Sequence, residues 1–176
     1  MTINRIATFE PVSFHQFQQD AETCNIPLQR DALVATYDRI SLPRRATEGS
    51  AGYDFVSPFS FTLHPQETIT IPTGIRVQIQ PGWWLGLLPR SGHGFKFRVQ
   101  LDNTLGIVDS DYYYADNEGH ILVKLSNGSL TGKQFAISEG GGFVQGIFLP
   151  YGITTDDQAE ARRTGGFGST DRGQGR

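Results

Sequence analysis

The chain has 176 residues, enough for one domain with a sizeable core. Its net charge of −3 offers no basic surface for nucleic acid, and no apolar run approaches the ~20 residues of a membrane span. One cysteine, Cys24, excludes an internal disulfide framework; with no leader-like stretch at the N-terminus, a cytoplasmic setting is expected.

In chain order, residues 3–12 read as a short strand. Ser13 followed by Gln16 matches a capping box, and Phe14, Phe17, Ala21 and Cys24 recur at helical spacing, with Pro27 beyond the end. One short amphipathic helix is predicted there, its apolar stripe serving as a packing face. From Ala32 onward the pattern reads as β. Ile69 and Ile71, then Ile75, Val77 and Ile79, alternate with polar residues across a Pro72-Thr73-Gly74 turn. Ile121, Val123 and Leu125 alternate with Leu122, Lys124 and Ser126, and Phe143 to Leu149 forms another strand closed by Pro150. The 21 glycines are about 12% of the chain against an average near ~7%, in keeping with many turns between short strands. The expected fold is mainly β, a jelly-roll or β-barrel-like domain over residues 1–153. Residues 154–176 lack periodicity and read as a flexible C-terminal arm.

Five segments hold residues suited to chemistry. Gly49–Phe55 sets Asp54 among small residues, as an ordinary turn also would. Pro89–Gly94 offers Arg90, the Ser91 hydroxyl and backbone amides, donors that suit phosphate oxygens but equally suit a surface turn. In Asp102–Tyr112, Asp109 and Asp111 follow an apolar run. No surrounding His/Asp/Glu set has metal-ligand spacing, so activation of water by a carboxylate is preferred to direct metal binding. Gly140–Gly146 brings three glycines into a strand with one polar side chain, Gln145, for which a structural bonding partner is expected. Arg162–Thr170 joins arginines, glycines, Phe167 and two hydroxyls, a composition suited to clamping phosphate and stacking on a base.

In this order and spacing the five segments, over residues 43–170, resemble the motifs of the trimeric dUTPase family, in a bacterial or phage-like branch. The Asp-Ser-Asp-Tyr core at 109–112 and the Gly-Gly-Phe-Gly-Ser-Thr run at 165–170 are the most telling. The resemblance implies hydrolysis of dUTP to dUMP and pyrophosphate, keeping uracil out of DNA. Asp109 would be the general base holding the water that attacks the α-phosphorus, and Gln145 would help orient that water or the phosphates. Tyr112 would pack on the deoxyribose and refuse a 2′-hydroxyl. Asn103, with Gly106, Val108 and Ile121 around the hairpin that follows, would read uracil. Ser91 and Gly92 would meet the phosphates, and Arg90 would brace that segment against Asp54 as structural support. From the arm, Arg162 would reach the γ-phosphate, Phe167 would stack on uracil, and Gly168, Ser169 and Thr170 would contact the substrate. Mg²⁺ would be carried by the triphosphate and water, without protein ligands. The resemblance also implies a homotrimer with active sites shared between chains, and no nucleic-acid or membrane partner.

The chain departs from the family pattern in places. Gly141 and Gly142 replace charged residues of the fourth motif, Arg163 replaces a glycine of the fifth, and the hairpin over Tyr113–Gly119 is longer. Two other functions are compatible with this kind of fold. A dCTP deaminase would need a glutamate where Lys124 stands. A nucleotide-sensing regulator on the same fold would bind dUTP and act through a partner surface.

Overall fold

In the computed structural model, which describes residues 4–160 and Gly165, the period-two segments become antiparallel ladders. The chain runs through β1 (Ala7–Pro11), α1 (Phe14–Thr23), α2 (Arg30–Asp38), β2 (Arg44–Arg45), β3 (Tyr53–Val56) and β4 (Phe61–Leu63). It continues through β5 (Thr68–Pro72), β6 (Ile75–Ile79), β7 (Trp83–Pro89), α3 (Ser91–Phe97), β8 (Val99–Leu101) and β9 (Gly106–Val108). A 3-10 helix (Ser110–Tyr114) then leads to β10 (Leu122–Asn127), β11 (Phe135–Ile137) and β12 (Gly142–Pro150).

The largest sheet has the order β2-β3-β12-β7-β9; smaller ones join β5-β10-β8, β1-β6 and β11-β4. This is a mainly β, jelly-roll type fold. In β6, Ile75, Val77 and Ile79 are buried while Arg76 and Gln78 turn outward. The core also holds Phe55, Ile71, Leu85, Leu125, Phe135 and Phe143, each nearly inaccessible. Burial of each such side chain contributes about 1.5–3 kcal/mol. Among the described residues, no helix is long and apolar enough to cross a membrane.

The N-terminal region departs from expectation. Helix α1 forms as predicted, with the Ser13 hydroxyl accepting from the Gln16 amide at 3.2 Å. A second helix, α2, occupies residues read as the start of the β region. Nine residues make a marginal helix alone, so tertiary packing has to hold it. Leu33, Tyr37 and Ile40 share a face against α1; the Tyr37 ring lies 5.5 Å from Phe14 and 5.8 Å from Phe17. The Tyr37 hydroxyl also donates to the Val12 carbonyl at 2.6 Å. These contacts outweigh the strand preference of the β-branched Val34 and Thr36. The Pro89–Gly94 segment, which equally suited a surface turn, instead runs into helix α3, and Tyr113 and Tyr114 at the start of the expected long hairpin belong to the 3-10 helix.

Candidate active site

Adjacent strands of the large sheet bring three of the sequence segments together at one end. In the ladder, Gln145 on β12 pairs with Asp54 on β3 and with Leu88 on β7, one residue before Pro89. Arg90 follows β7 and places Nε 3.2 Å from Asp54 Oδ1, while its Nη1 donates to the Gly142 carbonyl at 3.3 Å. Asp54 is therefore half-buried and ion-paired. The pair is partly exposed, so its worth lies in holding Arg90 in place more than in stability. Ser91 and Gly92 are exposed at the first turn of α3, just beyond Arg90. The Gln145 amide donates to the Pro89 carbonyl at 3.3 Å, which supplies the structural partner expected for this polar side chain. Gly52 packs beneath the end of this side chain: a Cβ there would stand 2.7 Å from Gln145 Oε1, and the amide would have to shift to admit it.

His93, one turn into α3, lies edge-on to Phe135 at 4.9 Å and sits 3.4 Å from the Phe143 carbonyl. Burial lowers its pKa, the Phe143 carbonyl opposes that, and Arg90 and Lys96 add to the lowering. Neutral at physiological pH, it packs against the core.

The third segment forms a second cluster. Asn103, Gly106 and Val108 line a cavity of about 260 Å³ with Leu122 and Lys124 of β10. Lys124 Nζ meets Asp102 Oδ2 at 2.8 Å, and both residues belong to the cavity wall. Ile121, expected to contact a ligand, is 0% exposed and its amide donates to the Ile75 carbonyl, so it belongs to the core. Its neighbour Leu122 is the residue that lines the cavity. The signal was present in the alternation of β10, which puts Leu122 and Lys124 on the face opposite Ile121, Val123 and Leu125.

Asp109 follows Val108 directly and stands at the N-cap of the 3-10 helix, half-buried. Ser110 and Asp111, next in the chain, open on a groove of about 1120 Å³ bounded by the start of β1 and the end of β6. Tyr112 is only 3% exposed: its hydroxyl donates to the His120 carbonyl at 2.9 Å and accepts from Asn117 Nδ2 at 2.8 Å. Within one chain this tyrosine is therefore almost wholly enclosed.

The two clusters do not meet within one chain. Val108 pairs with Leu85, whereas Val144 pairs with Pro89, four positions along β7. At ~3.4 Å per residue they are roughly 14 Å apart along the strand, beyond the reach of a base and a phosphate cradle acting on one atom. Arg162, Arg163, Phe167, Gly168, Ser169 and Thr170 lie outside the described residues. No group of three or more His, Cys, Asp or Glu side chains among the described residues is placed to hold a metal.

The chain is thus a mainly β, jelly-roll type domain with a small cavity next to Asp109 in sequence and a separate Arg90–Ser91–Gln145 cluster. A match to the dUTPase family spans residues 38–171, and the chain belongs to that family. The deoxyuridine 5′-triphosphate nucleotidohydrolase of Lactococcus lactis is 40% identical over 134 residues, covering 74% of this chain and 88% of its own. The dUTPase of Streptococcus mutans superposes with a TM-score of 0.59 at 28% identity, over 83% of this chain and 97% of that one. A mutant dUTPase from phage phi11 of S. aureus, in which a structural Mg(II) ion is coordinated, gives 0.55 at 25% identity, over 69% and 90%.

Proposed function

We propose that this chain hydrolyses dUTP to dUMP and pyrophosphate, in active sites assembled from several copies of itself. The observation that carries the reading is the cavity lined by Asn103, Gly106 and Val108, with Asp109 the next residue along the chain, in a chain of the dUTPase family. The base enters the cavity, and Asn103 with the neighbouring backbone reads its edge. Asp109 takes a proton from a water as the water oxygen bonds to the α-phosphorus, and the bond to the bridging oxygen breaks to release pyrophosphate.

Ser91 and Gly92 supply O–H and N–H donors to the phosphates, Arg90 holds their segment in place, and Gln145 orients the water or a phosphate oxygen. Since Asp109 stands roughly 14 Å along the strand from those donors in its own chain, they come from a neighbouring copy. A homotrimer is the assembly this reading adopts. The outward face of the large sheet supports association: Ile107 is 55% and Leu149 37% exposed, with Trp84 and Ile147 on the same face. Residues 154–176 act as an arm that closes over a bound nucleotide, with Arg162 on the γ-phosphate and Phe167 on the uracil.

Mg²⁺ would be carried by the phosphate oxygens of the substrate and by water. When bound it neutralises charge on the phosphates. The half-buried Cys24 suits a reducing compartment, and the reading puts the reaction in the cytoplasm. The test is pyrophosphate release from a panel of nucleoside triphosphates with Mg²⁺. Turnover of dUTP well above that of dCTP, dTTP and UTP is expected; a different preferred substrate, or none, overturns the reading.

A further inference from the structure

Helix α1 precedes the family match, which begins at residue 38, yet it is built into the segment that holds Tyr112. His120 is 0% exposed and its ring is saturated. The Gly74 amide donates to Nε2 at 2.7 Å, so the neutral ring carries its proton on Nδ1, which lies 2.6 Å from Asp20 Oδ2. Asp20 accepts a second bond from Gln16 Nε2 at 2.8 Å, and both residues are buried on the face of α1 turned to the sheet. The backbone carbonyl of the same histidine receives the Tyr112 hydroxyl.

Two further tethers flank this relay. The Ser13 amide and hydroxyl both donate to Glu118, at 2.8 and 2.6 Å. The Tyr113 hydroxyl donates to Glu10 at 2.8 Å, and Arg76 lies 4.5 Å over the Tyr113 ring while bonding the same carboxylate. Between them Gly119 has φ +70°, and a Cβ there would stand 2.8 Å from the Tyr112 carbonyl. A glycine is needed for the chain to double back this tightly.

We infer that Asp20 and His120 are positioning residues for dUTP turnover: α1 clamps residues 110–120 through them and so sets where Asp109 and Tyr112 stand. The inference rests on the proposed function for its kinetic part alone. Buried polar groups that are fully bonded rigidify what they join, and displacement of a reacting group by about 1 Å can cost ~10²-fold in rate. A helix held only by apolar contacts would need neither a buried carboxylate nor a buried imidazole.

The experiment compares Asp20→Leu/His120→Leu, which removes both partners together, with Asp20→Asn, which keeps an acceptor for Nδ1–H and for Gln16. Leu63→Ala in β4, remote from the clamp, serves as a control for lost stability. The double variant is expected to lower kcat on dUTP at least ~10-fold and to lower the dUTP/UTP ratio of kcat/KM, while KM changes less. Asp20→Asn should restore most of both, and Leu63→Ala should leave the ratio unchanged. Amide exchange supplies a readout independent of activity: the Tyr112 N–H, bonded to the Asp109 carbonyl, should exchange at least ~10-fold faster in the double variant. If the double variant does not fold, Ser13→Ala/Glu118→Gln is read in the same way. A folded variant with unchanged kcat, substrate ratio and exchange overturns the inference. Accelerated exchange in a chain that never hydrolyses dUTP overturns the proposed function and leaves the clamp standing.

Discussion

A carboxylate that removes a proton from water cannot be replaced by its own amide. Asp109→Asn keeps size and polarity but loses the basic oxygen, so hydrolysis should fall roughly 10²–10⁴-fold while dUTP still binds. Equilibrium binding beside a single-turnover assay checks this, and retained turnover would remove Asp109 from the base role. Cys24 poses the opposite case of a reactive group made inert. Burial, then the neighbouring Asp20, pushes its thiol up to about 11. The thiolate fraction at neutral pH is therefore about 100-fold below that of a free cysteine, and alkylation by iodoacetamide should be slower to match. Modification at the rate of a free thiol would show that the α1 face opens in solution.

At the scale of elements, the cap of α1 adds a tether of its own, from Ser13 to Glu118. Burial raises the pKa of Glu118, but the hydroxyl and amide of Ser13 together with the charge of Arg76 outweigh it, and the net value lies below the ordinary carboxyl range. A carboxyl group depressed by folding contributes stability that is fully present above its unfolded pKa. That stability is lost as the pH falls through the folded value. Melting temperature should therefore decline on acidification below the ordinary glutamate pKa near ~4.3, and Glu118→Gln should flatten that part of the profile. An identical acid limb in both proteins would show that this tether carries no net stability.

The whole molecule is where the divided site has consequences. On the proposed function, the Asp109 end and the Ser91–Gln145 end of β7 are too far apart to serve one phosphate within a chain, so two differently damaged chains should complement each other. Asp109→Asn chains and chains bearing Ser91→Ala with Gln145→Leu are each expected to be inactive alone. Denatured together in equal amounts and refolded, they should regain about a quarter of wild-type activity, because an intact site then needs its base from one kind of chain and its donors from the other. No recovery in assembled protein would place the whole site within one chain.

Alternation in β6 and β10, the capping box at Ser13 and the five segments from Gly49 to Thr170 were all legible in the sequence, because side-chain periodicity and motif spacing are local properties. The family and the candidate base followed from them. Helix α2 was hidden, since its stability comes from α1 and Val12, partners that lie earlier in the chain. The exchange of Ile121 for Leu122 as cavity lining depends on which face of β10 meets the core. The buried contact of Asp20 with His120, a hundred positions apart in the chain, has no local signature at all. Such pairings arise only when burial removes water as the competing partner, which is a property of the folded molecule.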